Sequence, residues 1–150
     1  RSEYSRVLRL DESLGRRGGG HNSVKATPLD TLGQLIDVMY IKSSGSDIKS
    51  IVAAQFPAVR LDYIAPLRAR DEEMSDEEMV AYLARCLLDP AGKRPSIETL
   101  LHAFLPAKEV LHTHADAMLA VTNNRRREEA GRDVLGDYVV AVPYCRPGGA

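Results

Sequence analysis

Apolar positions along the chain change their period several times, and each change predicts an element. Tyr4, Val7, Leu8 and Leu10 recur at helical spacing over about residues 3 to 14. Gly18, Gly19 and Gly20 end that pattern. Three glycines cannot hold a helix, but they let a backbone pass close to a ligand with its N–H groups exposed. A plain flexible turn accounts for them as well. The stretch SVKAT and the apolar run Val38 to Ile41 then predict an antiparallel strand pair, the second strand leading into small hydroxyl residues around Gly45.

The clearest helix lies in MSDEEMVAYLARCLLDP, where Ser75 and Glu78 have the spacing of a capping box. Met79, Tyr82, Leu83, Cys86 and Leu87 fall on one face, and Pro90 marks the end. Cys86 therefore reads as core, not as a ligand or nucleophile. RPSIETLLHAFLP predicts a second helix, capped by Ser96 and stopped by Pro106, with Glu98 in its first turn. A carboxylate there is favoured by the helix dipole alone, so its position does not establish a function. EVLHTHADAMLAVTN passes from strand to helix, a charged helix follows near residues 126 to 135, and YVVAVPY reads as a closing strand. Strands mixed with helices indicate an α/β or α+β domain.

A length of 150 residues with 44% hydrophobic content supports one core and is short for two ordinary domains. Twenty basic and 21 acidic residues leave a net charge of -1, so no global field favours nucleic acid, and an anion site has to be local. Arg125 to Arg127 run straight into Glu128 and Glu129 and read as a solvated helix surface. No apolar run approaches the roughly 20 residues of a membrane span, and RSEYSRVLRL lacks the apolar core of a signal peptide. Neither nucleic acid nor membrane is expected as a partner. Cys86 and Cys145 form no close metal-type pair and no disulfide framework, which fits a cytoplasmic location. The start at Arg1 and the stop soon after the last expected strand fit a fragment of a longer protein.

The candidate chemistry is concentrated in HTHAD. In a strand, His112 and His114 project to the same side about 7 Å apart, close enough for two imidazoles to converge on one zinc ion. Spacing alone fits a packed or surface pair equally well. A catalytic zinc normally takes three protein ligands and keeps one position open. Glu98, His21 and His102 are candidates for the third ligand, none at a diagnostic spacing.

The order of these features is more specific than any one of them. GGGHNSVK, YIKSSGSD and PSIETLLHAFLPAKEVLHTHADAMLAVTN together resemble the class II aldolase and adducin family, over essentially the whole chain. The similarity is strongest to the aldolase half of bifunctional rhamnulose-1-phosphate aldolase/alcohol dehydrogenases. The resemblance implies a three-layer α/β/α domain around a largely antiparallel sheet, here incomplete at its C-terminus and commonly a homotetramer. It implies Zn2+ as cofactor, with His112 and His114 as two of three ligands and Glu98 as the acid/base. Gly20, Asn22, Ser44, Gly45 and Ser96 would hold the phosphate of a sugar-phosphate substrate. The implied reaction is cleavage of a ketose 1-phosphate to dihydroxyacetone phosphate and an aldehyde. A short-chain dehydrogenase domain would follow in the longer protein. No dinucleotide fingerprint occurs within these residues, so no NAD site is expected here.

Two departures stand out. His21 occupies the position where the family pattern expects asparagine, with Asn22 one residue later, and the family's third histidine lies on a later strand than any present here. An epimerase or dehydratase of the same fold, and a non-catalytic adducin-like interaction domain, are the alternative readings.

Overall fold

The computed structural model describes residues 20–47, 50–70, 72, 74–123, 125–140 and 142–143. The helix expected over residues 3 to 14, Gly18 and Gly19 lie outside them. Four strands, β1 (His21–Ala26), β2 (Val38–Ile41), β3 (Ala58–Arg60) and β4 (Glu109–His112), form one antiparallel sheet in the order β3-β2-β1-β4. The helices are α1 (Leu61–Ile64), α2 (Asp76–Arg85), α3 (Thr99–Phe104), α4 (Asp116–Thr122) and α5 (Arg127–Leu135). Their mixture with the sheet is the expected α/β arrangement.

The register explains the core. Ser23 stands opposite Ile41 and Val110, and Met39 opposite Val59, so these side chains share one face. Met39, Ile41 and Val59 are fully buried there and pack with Ile64, Met79, Leu83, Cys86 and Leu100 from the helical side. Burial also pushes the Cys86 thiol up to about 11, in keeping with a core residue that does not ionise. The outer edge of β3 is covered by the chain leaving α2, where Arg60 N–H donates to Cys86 C=O at 2.8 Å and Leu88 N–H to Ala58 C=O at 2.9 Å.

Ser75 and Glu78 form the expected capping box at α2. Glu78 N–H donates to Ser75 Oγ at 3.2 Å, and Ser75 N–H to Glu78 Oε2 at 2.9 Å. Ser75→Ala is expected to cost about 1 kcal/mol of stability, readable as a lower urea midpoint with an unchanged slope. A loss below about 0.2 kcal/mol would mean that tertiary packing alone holds this end.

Three expected boundaries change. Helix α2 ends at Arg85, short of Pro90, because residues 86 to 88 are drawn into pairing beside β3. The second helix starts later than its sequence implies. Ser96 Oγ accepts from Glu98 N–H at 3.2 Å and Ser96 C=O from Thr99 N–H at 3.1 Å, so a local turn precedes α3 and Glu98 becomes its N-cap residue. Lys25 from β1 donates to Leu105 C=O, tying the other end of α3 to the sheet. Finally, the described part of the expected closing strand makes none. Tyr138 closes a 3-10 turn, and Val139 and Val140 join no ladder.

Candidate functional site

Antiparallel pairing collects the candidate residues at one end of the sheet. The start of β1, the end of β2 and the end of β4 lie side by side there. His21 is directly opposite His112 in the ladder, so both imidazoles project from the same face. The N-terminus of α3 brings Glu98 to them. His112 Nδ1–H donates to Glu98 Oε2 at 2.5 Å, and His21 Nδ1 lies 2.8 Å from the same oxygen. Donor atoms of His21, Glu98 and His112 all fall within 4.8 Å of one another.

Burial by itself opposes ionisation of Glu98, but the contacts with His112 and His21 outweigh it and hold the carboxyl well below the usual carboxylate range. Glu98 is therefore an anion at neutral pH. The His21 Nδ1 is shielded from solvent, and this close approach to Glu98 is its one ion-pair contact among the described residues. A nitrogen in that condition, beside an anionic oxygen and a second imidazole, suits a divalent cation. These three residues fit a metal ion on donor chemistry and on spacing.

His114 takes a different place from the one expected of it. Strand β4 ends at His112, so strand alternation does not carry through to His114. Its ring lies 4.7 Å from that of His112, tilted by 45°, and its nitrogens stand outside the group of three. Burial lowers its basicity, and the neighbouring His112 adds to the effect.

The expected phosphate residues adjoin this group. Gly20, with φ of 84°, uses a left-handed conformation open to glycine to bring the chain into β1. Asn22 C=O accepts from Lys42 N–H at 3.1 Å. The turn Ser43 to Ser46 follows, with Ser43 and Ser46 hydroxyls 2.5 Å apart and Gly45 at φ of 73°. Ser44 and Gly45 are exposed at its tip. A bridge from Ser43 to Pro95 sets the turn against Ser96, which is buried. Ser44 N–H donates to Arg94 C=O at 3.0 Å, so its hydroxyl is the group left to contact a ligand.

Two residues gain importance here. Lys42 is fully shielded from solvent, and its Nζ has no hydrogen-bond partner among the described residues. Burial lowers its basicity, while Glu98 and Asp47 act in the opposite direction. The sequence marks it only as a polar residue at the end of an apolar strand. His102 is the second. It is wholly buried on α3, one turn after Glu98, with Nδ1 2.8 Å from Ser23 Oγ. Burial pushes it down to about 4, with His112, His21 and Lys25 adding to the shift and Glu98 opposing it.

This shift has a stability consequence of definite sign. The unfolded chain takes up a proton at His102 near its ordinary value of 6.5, the folded chain only near 4, so acidification between the two favours unfolding. Stability is expected to hold above about pH 6.5 and to fall by roughly 3 kcal/mol toward pH 4. Urea titrations of His102→Gln, which cannot charge, should lack this component. The same slope in the variant would assign it elsewhere.

A family model described as "Class II Aldolase and Adducin N-terminal domain" matches residues 3–150. The chain belongs to this class II aldolase and adducin family. The N-terminal class II aldolase domain of a conserved Thermoplasma acidophilum protein superimposes with a TM-score of 0.86 at 42% identity, covering 96% of this chain and 66% of that one. The class II aldolase fold is thereby shown. An uncharacterized oxidoreductase of Bacillus subtilis, YuxG, is 46% identical over 144 residues, which are 96% of this chain but 21% of YuxG. The chain thus spans about a fifth of that relative and just under two thirds of the Thermoplasma chain. The class II aldolases of this family are typically metal-dependent, and the group of His21, Glu98 and His112 is the candidate metal site among the described residues of this chain. No helix among the described residues is long and apolar enough to cross a membrane.

Proposed function

We propose that this chain carries the catalytic half-site of a zinc-dependent class II aldolase that cleaves a ketose 1-phosphate, rhamnulose 1-phosphate or a close relative, to dihydroxyacetone phosphate and an aldehyde. The observation that carries the reading is the meeting, at one end of the sheet, of an ionised Glu98, the imidazole pair and a buried Lys42 whose Nζ has no hydrogen-bond partner among the described residues. Anion, cation and metal-type donors there match the three demands of the reaction: a proton carrier, a phosphate grip and a seat for a Lewis acid.

When bound, a divalent ion supplies electrophilic stabilisation for the substrate oxygens beside the bond that breaks. In condensation Glu98 takes the proton from the carbon next to the carbonyl; in cleavage the proton lost from the hydroxyl that becomes the aldehyde passes to the Glu98 carboxylate, which returns it to that carbon after the carbon–carbon bond has broken. Lys42 and the hydroxyls of Ser44 and Ser96, with the backbone around Gly20, Asn22 and Gly45, hold the phosphate and so fix the reacting carbon relative to Glu98. Lys42 can have its charge compensated by that phosphate, which accounts for retaining an otherwise costly buried ammonium. The oxidoreductase designation of YuxG we assign to the larger remainder of such a protein, as a dehydrogenase domain following this one.

The test is release of dihydroxyacetone phosphate from rhamnulose 1-phosphate and related ketose 1-phosphates by the longer protein that contains this chain. It is run before and after exhaustive chelation. Cleavage that persists without metal, or no cleavage of any such sugar, sinks the proposal. Tight protein partners with no affinity for phosphate would favour the interaction-domain alternative.

A further inference from the structure

The turn from Ser43 to Ser46 is braced from behind by a side chain that no sequence motif singles out. We propose that Gln55 is a positioning residue for phosphate recognition: its amide fixes Ser46, and through Ser46 the turn whose tip, Ser44 and Gly45, meets the substrate phosphate. The inference rests on the phosphate grip proposed above and adds the group that shapes it.

Gln55 is placed by the sheet. The β2–β3 register sets Tyr40 opposite Ala58. Carried past the end of β3, it sets Gln55 opposite Ser43, and the pairing does continue: Ile41 N–H donates to Pro57 C=O at 3.2 Å, and Ser43 N–H to Gln55 C=O at 2.9 Å. Gln55 also ends a single 3-10 turn, Ala53–Gln55, across which Val52 N–H donates to Gln55 Oε1 at 2.9 Å. That contact fixes which way the amide points. A backbone N–H only donates, so the oxygen faces Val52 and the NH2 group faces Ser46, with Nε2 3.1 Å from Ser46 Oγ. Ser46 Oγ then accepts, which leaves its own proton for Ser43 Oγ, 2.5 Å away. Gln55, Ser46 and Ser43 thus form a chain of bonds with one direction, each polarising the next.

The shape of the turn depends on this chain. Its closing backbone bond, Ser46 N–H to Ser43 C=O, is long at 3.4 Å and holds little by itself. Gly45, at φ of 73°, has the most conformations to lose. Ser43 and Ser46 are buried while Ser44 and Gly45 are exposed, so the locking hydroxyls sit at the base and the ligand-facing groups at the tip. A turn ordered before the phosphate arrives spares binding the cost of ordering it.

Calorimetric binding of inorganic phosphate by the full 150-residue chain tests the assignment, together with KM and kcat for a ketose 1-phosphate in the longer protein that contains it. The variants are Gln55→Met, which keeps the length of the side chain and loses both amide bonds, Ser46→Ala, and the two combined. Each single variant is expected to weaken phosphate binding by about 3- to 10-fold, the worth of one neutral hydrogen bond, and to raise KM in the same proportion with kcat unchanged. Because Gln55 acts through Ser46, the double variant should bind phosphate no more weakly than Ser46→Ala alone. A side chain that only supported the fold would lower the urea midpoint and leave the phosphate affinity and KM of the folded protein as they were. Should Gln55→Met fold poorly, Ser46→Ala cuts the same chain at its next member and carries the test. Unchanged phosphate affinity in either single variant, or losses that add in the double variant, would overturn the proposal while the phosphate reading stands. No phosphate affinity in the unmodified chain would overturn that reading and this inference with it.

Discussion

Glu98→Gln is expected to lower ketose 1-phosphate turnover by about 100- to 10,000-fold, the usual contribution of a positioned acid or base, with little change in KM. The carboxamide keeps the shape of the side chain and can still accept from His112, so binding of the substrate's phosphate end is preserved. It cannot carry a proton between base and acid roles, so the loss falls on kcat. The contacts that acidify Glu98 also bear on the reaction. Both imidazoles approach one oxygen, Oε2, and a carboxylate so strongly stabilised is a weak base. Catalysis therefore requires that these contacts be exchanged when substrate arrives. Single-turnover kinetics of the variant in both directions would check the role. Equal kcat in Glu98→Gln and the unmodified protein would assign proton transfer to another group.

Lys42→Met should move stability and affinity in opposite directions. Lysine is almost never fully buried without a partner, and Lys42 is shielded completely with Nζ unpaired among the described residues. Methionine keeps the length of the stem and removes the ammonium, whose unsatisfied burial costs about 1 to 3 kcal/mol or more. The variant is expected to be more stable by that order, measured as a higher urea midpoint. Loss of a charge-assisted hydrogen bond worth about 1.5 to 3 kcal/mol should at the same time weaken phosphate binding by roughly 10- to 150-fold. Competition by inorganic phosphate and the KM for a ketose 1-phosphate both report this. A variant that is less stable, with unchanged phosphate affinity, would make Lys42 a structural residue.

Much of this architecture is legible in local patterns. The capping box of α2 and the apolar face that buries Cys86 are set by residues a few positions apart, the β1–β2 pair by strands that follow each other in the chain, and all form as expected. Local competition explains the displaced start of α3. The Ser96 hydroxyl caps nearby backbone in either conformation, and the turn it forms makes Glu98 the N-cap residue. YVVAVPY has strand composition, but composition supplies no pairing partner, and Tyr138 and Val140 are 99% and 90% exposed.

The site divides along the same line. Glu98 and His112 can be singled out from a short motif. His21 and Lys42 cannot, because their importance comes from contacts between distant parts of the chain. The β1–β4 register turns His21 from one of several candidate ligands into the neighbour of Glu98. For Lys42, burial at the end of β2 brings an unremarked polar residue under the influence of Glu98 and Asp47.

The cross-strand placement of His21 opposite His112 also ties chemistry to folding. Along β4, Val110 and His112 are half-buried while Glu109 and Leu111 are exposed. A slip of one residue would turn His112 away and put Leu111 in its place. Any ion gripped by both histidines would then discriminate between registers, stabilising the correct one by an amount that grows with the logarithm of its concentration over its dissociation constant. Amide hydrogen exchange along β1 and β4 should slow as metal is added, so that metal supply would govern both the reaction and the fidelity with which this edge of the sheet is assembled.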